Sequence, residues 1–267
     1  MSNALSDTFV DLRLTKRKAL IPFLTADFPS RRGFAAAVDA VCESGADILE
    51  IGFPHSDPLA DGPVIQRSSA QAMRNGFTVE RAFGEIETFA ARISIPIVIM
   101  CYSNLIHRAG ARAFVNRCSD SGVSGLIVPD MIIEESATLR QFCKERDISF
   151  INLVAPTTPR RRARYIAGTG AGFIYLVSVA GTTGARSRFN DGIRNLAKEL
   201  RQASDLPLCV GFGISSVETA REAAAIGDGV ILGSKLIELI ESDNGKGRYP
   251  RLRSFLRNIS KALGGNL

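Results

Sequence analysis

Tryptophan is absent from this chain and histidine nearly so, His55 and His107 being the two examples. Two imidazoles are too few for a His-built metal centre, so no metal is expected. The lack of tryptophan, with only four tyrosines, removes most of the stacking surface that single-stranded nucleic acid needs. The five cysteines (Cys42, Cys101, Cys118, Cys143 and Cys209) contain no CxxC pair and fall mostly in apolar helix or strand context. They read as reduced packing residues rather than as disulfides or ligands. No run approaches the roughly 18 apolar residues of a membrane span, and Ser2-Asn3-Ala4-Leu5-Ser6-Asp7 lacks the basic and apolar regions of a signal peptide. A cytoplasmic protein is therefore expected, without membrane or nucleic-acid partners. The net charge of +6 is densest at Arg160-Arg161-Arg162 and Arg164, where it follows Thr157-Thr158-Pro159 at the start of a helical pattern. That placement reads as a solvated helix face.

What the chain does contain is a regular alternation. Its 267 residues, 45 % hydrophobic and 22 % charged, suit a large buried core. An amphipathic pattern over 5–14 predicts a leading helix. Apolar runs at 19–25, 48–53, 96–102, 125–128, 149–154, 173–177, 207–212 and 229–232 then alternate with helical patterns. The helical stretch 63–92 is broken at Asn75-Gly76, and a basic helix over 250–263 ends the series after the linker 242–249. Eight strand-helix units averaging about 30 residues predict a single α/β domain over 1–267, a (β/α)8 TIM barrel with an extra N-terminal helix. No GxGxxG follows the first strand, so a dinucleotide fold lacks its fingerprint.

One residue breaks the pattern of a buried strand. Glu50 interrupts Ile48, Leu49, Ile51 and Phe53, where a carboxylate is costly unless it is paired or used. Beyond Pro54 comes a loop carrying Asp57 and Asp61, with Pro63 suited to the first turn of the next helix. Read alone, Glu50 suits an ion pair in the core, and the aspartates suit turn or capping duty. Read together, a carboxylate at a strand end and another on the following loop suit proton transfer, with burial raising one pKa while solvent or charge holds the other low. In a barrel, chemistry sits at the C-terminal strand ends, where Glu50, Asp61, Tyr102, Asp130, Tyr175 and the loop 178–190 all fall.

The same end carries two candidate anion sites. Gly211-Phe212-Gly213-Ile214-Ser215-Ser216 follows the seventh strand, and Gly233-Ser234-Lys235 follows the eighth. Each puts glycine and serine at a helix start, where unpaired N–H groups favour an anion, and loops 7 and 8 are the usual phosphate site of this fold. Phe23, Met100, Tyr102, Ile127, Leu153, Tyr175, Phe212 and Leu232 are candidates to line an apolar pocket beside it.

These motifs together resemble the tryptophan synthase α-subunit family over essentially the whole chain. The family pattern L-E-[LIV]-G-x-P-x-S-D-P-x-A-D-G-P-x-I-Q is matched from Leu49 to Gln66, and Gly181-Thr182-Thr183-Gly184, Gly211-Phe212-Gly213-Ile214-Ser215 and Gly233-Ser234 follow at the family's spacing. The resemblance implies retro-aldol cleavage of indole-3-glycerol phosphate to indole and glyceraldehyde 3-phosphate. It implies that Glu50 is the acid/base and that Asp61 accepts the indole N–H. Thr183 and Gly184 would belong to a closing loop, Gly213, Ser215, Gly233 and Ser234 would hold phosphate, and Tyr175 and Phe212 would contact substrate, joining Phe23 and Tyr102 of the candidate pocket lining. It also implies no cofactor in this chain, because pyridoxal phosphate resides in the β subunit, the partner in an α2β2 heterotetramer. A regulatory subunit that turns over poorly and a stand-alone indole-releasing lyase are the alternatives. The sequence departs from the family at Asp27 (commonly Gly), His55 (Phe or Tyr), Leu105 and Ile132 (Pro) and Lys235 (a small residue).

Overall fold

A computed structural model describes residues 3–58, 61–177, 191–211, 213–243 and 248–265. Its centre is a closed barrel of eight parallel strands in chain order. The strands are β1 (Ala19–Thr25), β2 (Leu49–Gly52), β3 (Ile97–Met100), β4 (Val123–Ile127), β5 (Ser149–Val154), β6 (Ile174–Val177), β7 (Leu208–Gly211) and β8 (Gly229–Leu232). The helices are α1 (Ala4–Leu14), α2 (Arg31–Cys42), α3 (Pro63–Arg74), α4 (Val79–Ala90), α5 (Ser103–Ala109), α6 (Ala111–Asp120), α7 (Ala137–Glu145), α8 (Arg160–Ala167), α9 (Asp191–Ala203), α10 (Val217–Ala224), α11 (Ser234–Ser242) and α12 (Pro250–Ala262).

Strand alternation splits the apolar residues into two cores. One face of each strand packs inside the barrel, where Ala19, Ile21, Ile48, Val98, Ile127, Ile151, Phe173, Cys209 and Ile231 meet one another. The other face, with Leu20, Leu49, Ile51, Ile99, Leu126 and Leu232, packs against the surrounding helices. Helix α1 belongs to the inner core. Asn3 caps it by accepting the Leu5 N–H at 2.9 Å, and Leu5, Phe9 and Leu12 close one end of the barrel, with Phe9 lying 5.9 Å from Phe173. Gly125 of β4 makes room for this plug, since a Cβ there would sit 2.9 Å from Leu5.

The predicted break at 75–76 is real: Asn75 ends α3 and Gly76, at φ +81, turns the chain toward α4. Helix α5 was not anticipated from the sequence. Its first N–H, that of Ser103, is met by Asp130 at 2.9 Å, and the Ser103 hydroxyl donates to the same carboxylate at 2.7 Å. Asp130 thus caps a helix from the loop after β4 instead of facing the site. Of the Arg cluster on α8, Arg160 pairs with Glu199 and Arg162 forks onto Glu134 at 2.6 and 2.9 Å. The five cysteines are free thiols, and burial pushes those of Cys101, Cys118, Cys143 and Cys209 up. Among the described residues no helix is long and apolar enough to cross a membrane.

Candidate active site

Along β2 and the residue before it the inward positions are Ile48, Glu50 and Gly52, so alternation carries one carboxylate into the barrel lumen. Glu50 is fully buried, and among the described residues neither of its oxygens has a hydrogen-bond partner. The ion-paired reading of this residue is therefore overturned. Burial first, and the charge of Asp61 second, push its pKa up to about 8.

Asp61 is positioned by the turn that leads into α3. Its N–H donates to the Pro58 carbonyl at 3.0 Å, and the Gln66 side chain donates to its carbonyl at 2.9 Å. The N-cap of α3 is Gly62, without a side-chain cap and with Pro63 next, so the Asp61 carboxylate is not spent on capping. It accepts the Tyr102 hydroxyl at 3.2 Å instead. Desolvation raises Asp61 to about 6, while the Tyr102 hydrogen bond and the nearby His55 oppose that rise. The expectation that one carboxylate would be held low is thus corrected: both are raised because both are buried, and Glu50 stays the higher. His55 stacks on Tyr102 with ring centroids 4.6 Å apart and 29° between planes, and its Nδ1 accepts the Asp57 N–H at 3.0 Å.

Both carboxylates line one cavity of about 320 Å³. Its apolar lining is Phe23, Ile65, Met100, Ile214 and Ile231, and Tyr175, Gly213, Ser215, Gly233 and Ser234 line it as well. Two strand-end glycines make space for the aromatic rings: a Cβ on Gly52 would fall within the ring of Phe23, and one on Gly211 would fall on that of Tyr175. Tyr175 is buried, and burial and the charges of Glu50 and Asp61 together raise its phenol well above the usual range. Tyr102 stands one step back, touching the site through Asp61.

The two glycine-serine turns differ. Gly213 adopts φ +75, which favours glycine, and Ser216 then caps α10 in a reciprocal box with Thr219. The N–H groups of Ser215 and Ser216 donate to the Thr219 hydroxyl at 3.1 and 3.0 Å. The expected open donors at this turn are therefore engaged by a side chain. Helix α11 has Gly233 as its N-cap with no side-chain cap, and Gly233, Ser234 and Lys235 line the cavity at its start.

Of the expected pocket residues, Leu232 turns outward to the helices, and Ile127 belongs to the inner core, with Leu153 packed against it. Ile231 takes the inward place, as strict alternation from Gly229 would have indicated. Ile65, Ile214 and Glu238 were missed because helix and loop positions announce no facing in the sequence. Thr183, Gly184 and Phe212 lie outside the described residues, as does the rest of 178–190. No group of three or more His, Cys, Asp or Glu suited to a metal occurs among the described residues.

A family model described as tryptophan synthase alpha chain matches residues 9–262. The tryptophan synthase alpha chain of Synechococcus elongatus is 42 % identical over 259 residues, 97 % of each chain, and that of Gloeobacter violaceus is 40 % identical over 255 residues, 95 % of this chain and 92 % of its own. Among solved structures, tryptophan synthase from Mycobacterium tuberculosis in an aminoacrylate-bound form is 30 % identical with a TM-score of 0.88, covering 98 % of this chain and 100 % of that one. Tryptophan synthase subunit alpha from Legionella pneumophila is 28 % identical with a TM-score of 0.88, covering 99 % of both chains.

Proposed function

Because this chain belongs to the tryptophan synthase alpha chain family, we propose that its cavity cleaves indole-3-glycerol phosphate by a retro-aldol reaction in which Glu50 and Asp61 divide the proton chemistry. The observation that carries this reading is a fully buried carboxylate with no partner among the described residues, within electrostatic reach of a second carboxylate on the same cavity. Held protonated at neutral pH, Glu50 donates its proton to the indole ring carbon that bears the side chain. Asp61, the more acidic of the two, accepts the indole N–H and stabilises the positive charge that builds on the ring. The carboxylate of Glu50 then takes the hydroxyl proton beside the scissile bond. As the aldehyde forms, the C–C electron pair returns to the ring, releasing indole and glyceraldehyde 3-phosphate and leaving Glu50 protonated again.

The apolar lining of Phe23, Ile65, Met100 and Ile231 suits the indole, with Tyr175 on the same cavity. The N–H groups opening α11 suit the phosphate, and Gly213 and Ser215 line the same cavity. The closing loop through Thr183 and Gly184, and Phe212, are assigned by family position alone. Every proton in this scheme moves through side chains of the chain itself, so the scheme calls for no metal or organic cofactor. We further propose a tryptophan synthase β subunit as partner in an α2β2 assembly, with pyridoxal phosphate on that partner. Exposed Met73 and Ile132, on α3 and on the loop after β4, give the catalytic end apolar surface for it.

Indole release from indole-3-glycerol phosphate, followed with and without an added β subunit, tests the assignment. Glu50→Gln should abolish cleavage while binding of glycerol 3-phosphate stays within about three-fold, and Asp61→Asn should lower kcat by roughly 10² or more. Substantial turnover by the Glu50→Gln variant would remove the acid/base from the scheme.

A further inference from the structure

Lys235 is the second residue of α11, where a cation opposes the helix dipole at an unfavourable 0.3–1 kcal/mol or so. The helix has no acidic residue in its first turn and no side-chain cap to offset it. A residue that breaks a local rule without helping its own element is most often explained by the site it faces. Lys235 lines the same cavity as the unpartnered Glu50, and so does Glu238 one turn further on. The lysine ammonium lies 3.3 Å from the Glu238 carboxylate, with both side chains partly exposed. Among the described residues lining the cavity there are three carboxylates, Glu50, Asp61 and Glu238, and Lys235 is the only cation. A phosphate monoester carrying roughly −1.5 to −2 charge thus finds one side-chain cation on the described lining, at the start of the helix whose N–H groups suit it.

We infer that Lys235 is a phosphate-binding residue of this site, held by Glu238 while no ligand is bound and handed to the phosphate of a phosphomonoester when one binds. The inference rests on the reading of this cavity as a phosphate-ester site. Its geometry needs only a rotation of the flexible lysine stem, because the N–H groups of α11 that would cradle the phosphate belong to the same helical turn. An exposed Lys–Glu pair three residues apart is worth only about 0.2–0.5 kcal/mol, so a dianion can displace Glu238 at little expense. Contact with the phosphate, remote from the bond that breaks, is the same in ground and transition states. It should therefore act on KM and leave kcat alone.

Calorimetric titration of the whole chain with glycerol 3-phosphate tests the handover. Lys235→Met, which keeps the apolar stem, should weaken binding roughly 10-fold, and Lys235→Arg should restore it to within about three-fold. Glu238→Gln should act in the opposite direction and tighten binding by up to about two-fold, because the competitor for the ammonium is gone. Added salt should weaken binding by the wild-type chain more steeply than by Lys235→Met. With indole-3-glycerol phosphate, Lys235→Met should raise KM by a similar factor with kcat within about two-fold. Wild-type-like affinity in Lys235→Met, or a Glu238→Gln variant that binds no tighter, overturns the inference. Failure of the wild-type chain to release indole would instead sink the reaction proposed above, and the titration would still decide the role of the lysine.

Discussion

Two carboxylates that share a cavity divide acid from base only if something keeps their pKa values apart. Here the deeper burial of Glu50 and the charge of Asp61 push Glu50 higher, while the Tyr102 hydroxyl donates to Asp61 and favours its ionised form. With Asp61 raised to about 6 and Glu50 to about 8, kcat/KM should be bell-shaped, rising as Asp61 ionises and falling as Glu50 loses its proton. Tyr102→Phe removes a donor that lowers the Asp61 pKa, so the acid limb should move to higher pH while the basic limb stays. His55→Ala should move the same limb the same way by less, since His55 both stacks on Tyr102 and opposes the rise. A pH-rate series on the three proteins checks this, and an unmoved acid limb in Tyr102→Phe would assign that limb to another group. The pairing of Glu50 with Asp61 was legible in the sequence from a carboxylate inside an apolar run and the loop pattern after it. The role of Tyr102 was not, because it depends on a contact across 41 positions.

At the scale of elements, legibility tracked where the determining interactions lie. Strands β1 and β5 fall on their expected bounds, since an apolar run between polar flanks is a local signal. Helix α5 escaped because its cap, Asp130, is supplied 27 residues downstream of Ser103. Asp130→Ala should therefore loosen α5 selectively, at about 0.5–2 kcal/mol in global stability. Hydrogen exchange should show faster opening of 103–109 with α6 unaffected. Tyr102 immediately precedes α5, so the same variant should also reduce kcat modestly. If exchange in α5 were unchanged, the cap would be ornamental.

For the whole molecule, the buried Glu50 is a burden that the two cores must carry. Its folded pKa of about 8 exceeds the ordinary 4.5, so the native state binds the proton more tightly than the unfolded chain does. Below about 4.5 both states are protonated and nothing is lost. Between 4.5 and 8 stability falls as pH rises, and above about 8 the full cost, on the order of several kcal/mol, is present. Glu50→Gln should consequently raise Tm over wild type by a margin that grows from about pH 5 to about pH 8 and then levels off. A margin that is flat across that range would mean that Glu50 titrates normally. The sequence by itself determined the eight alternating units, the glycine-serine turns and the suspect carboxylates, because hydrophobic period and turn chemistry are properties of neighbouring residues. Only the tertiary structure decided that Tyr102 meets Asp61, that Asp130 caps α5 from the loop after β4, and that Glu50, Asp61 and the start of α11 line one cavity. Those outcomes depend on barrel closure, which sets the inward face of every strand and brings residues from opposite ends of the chain to one mouth.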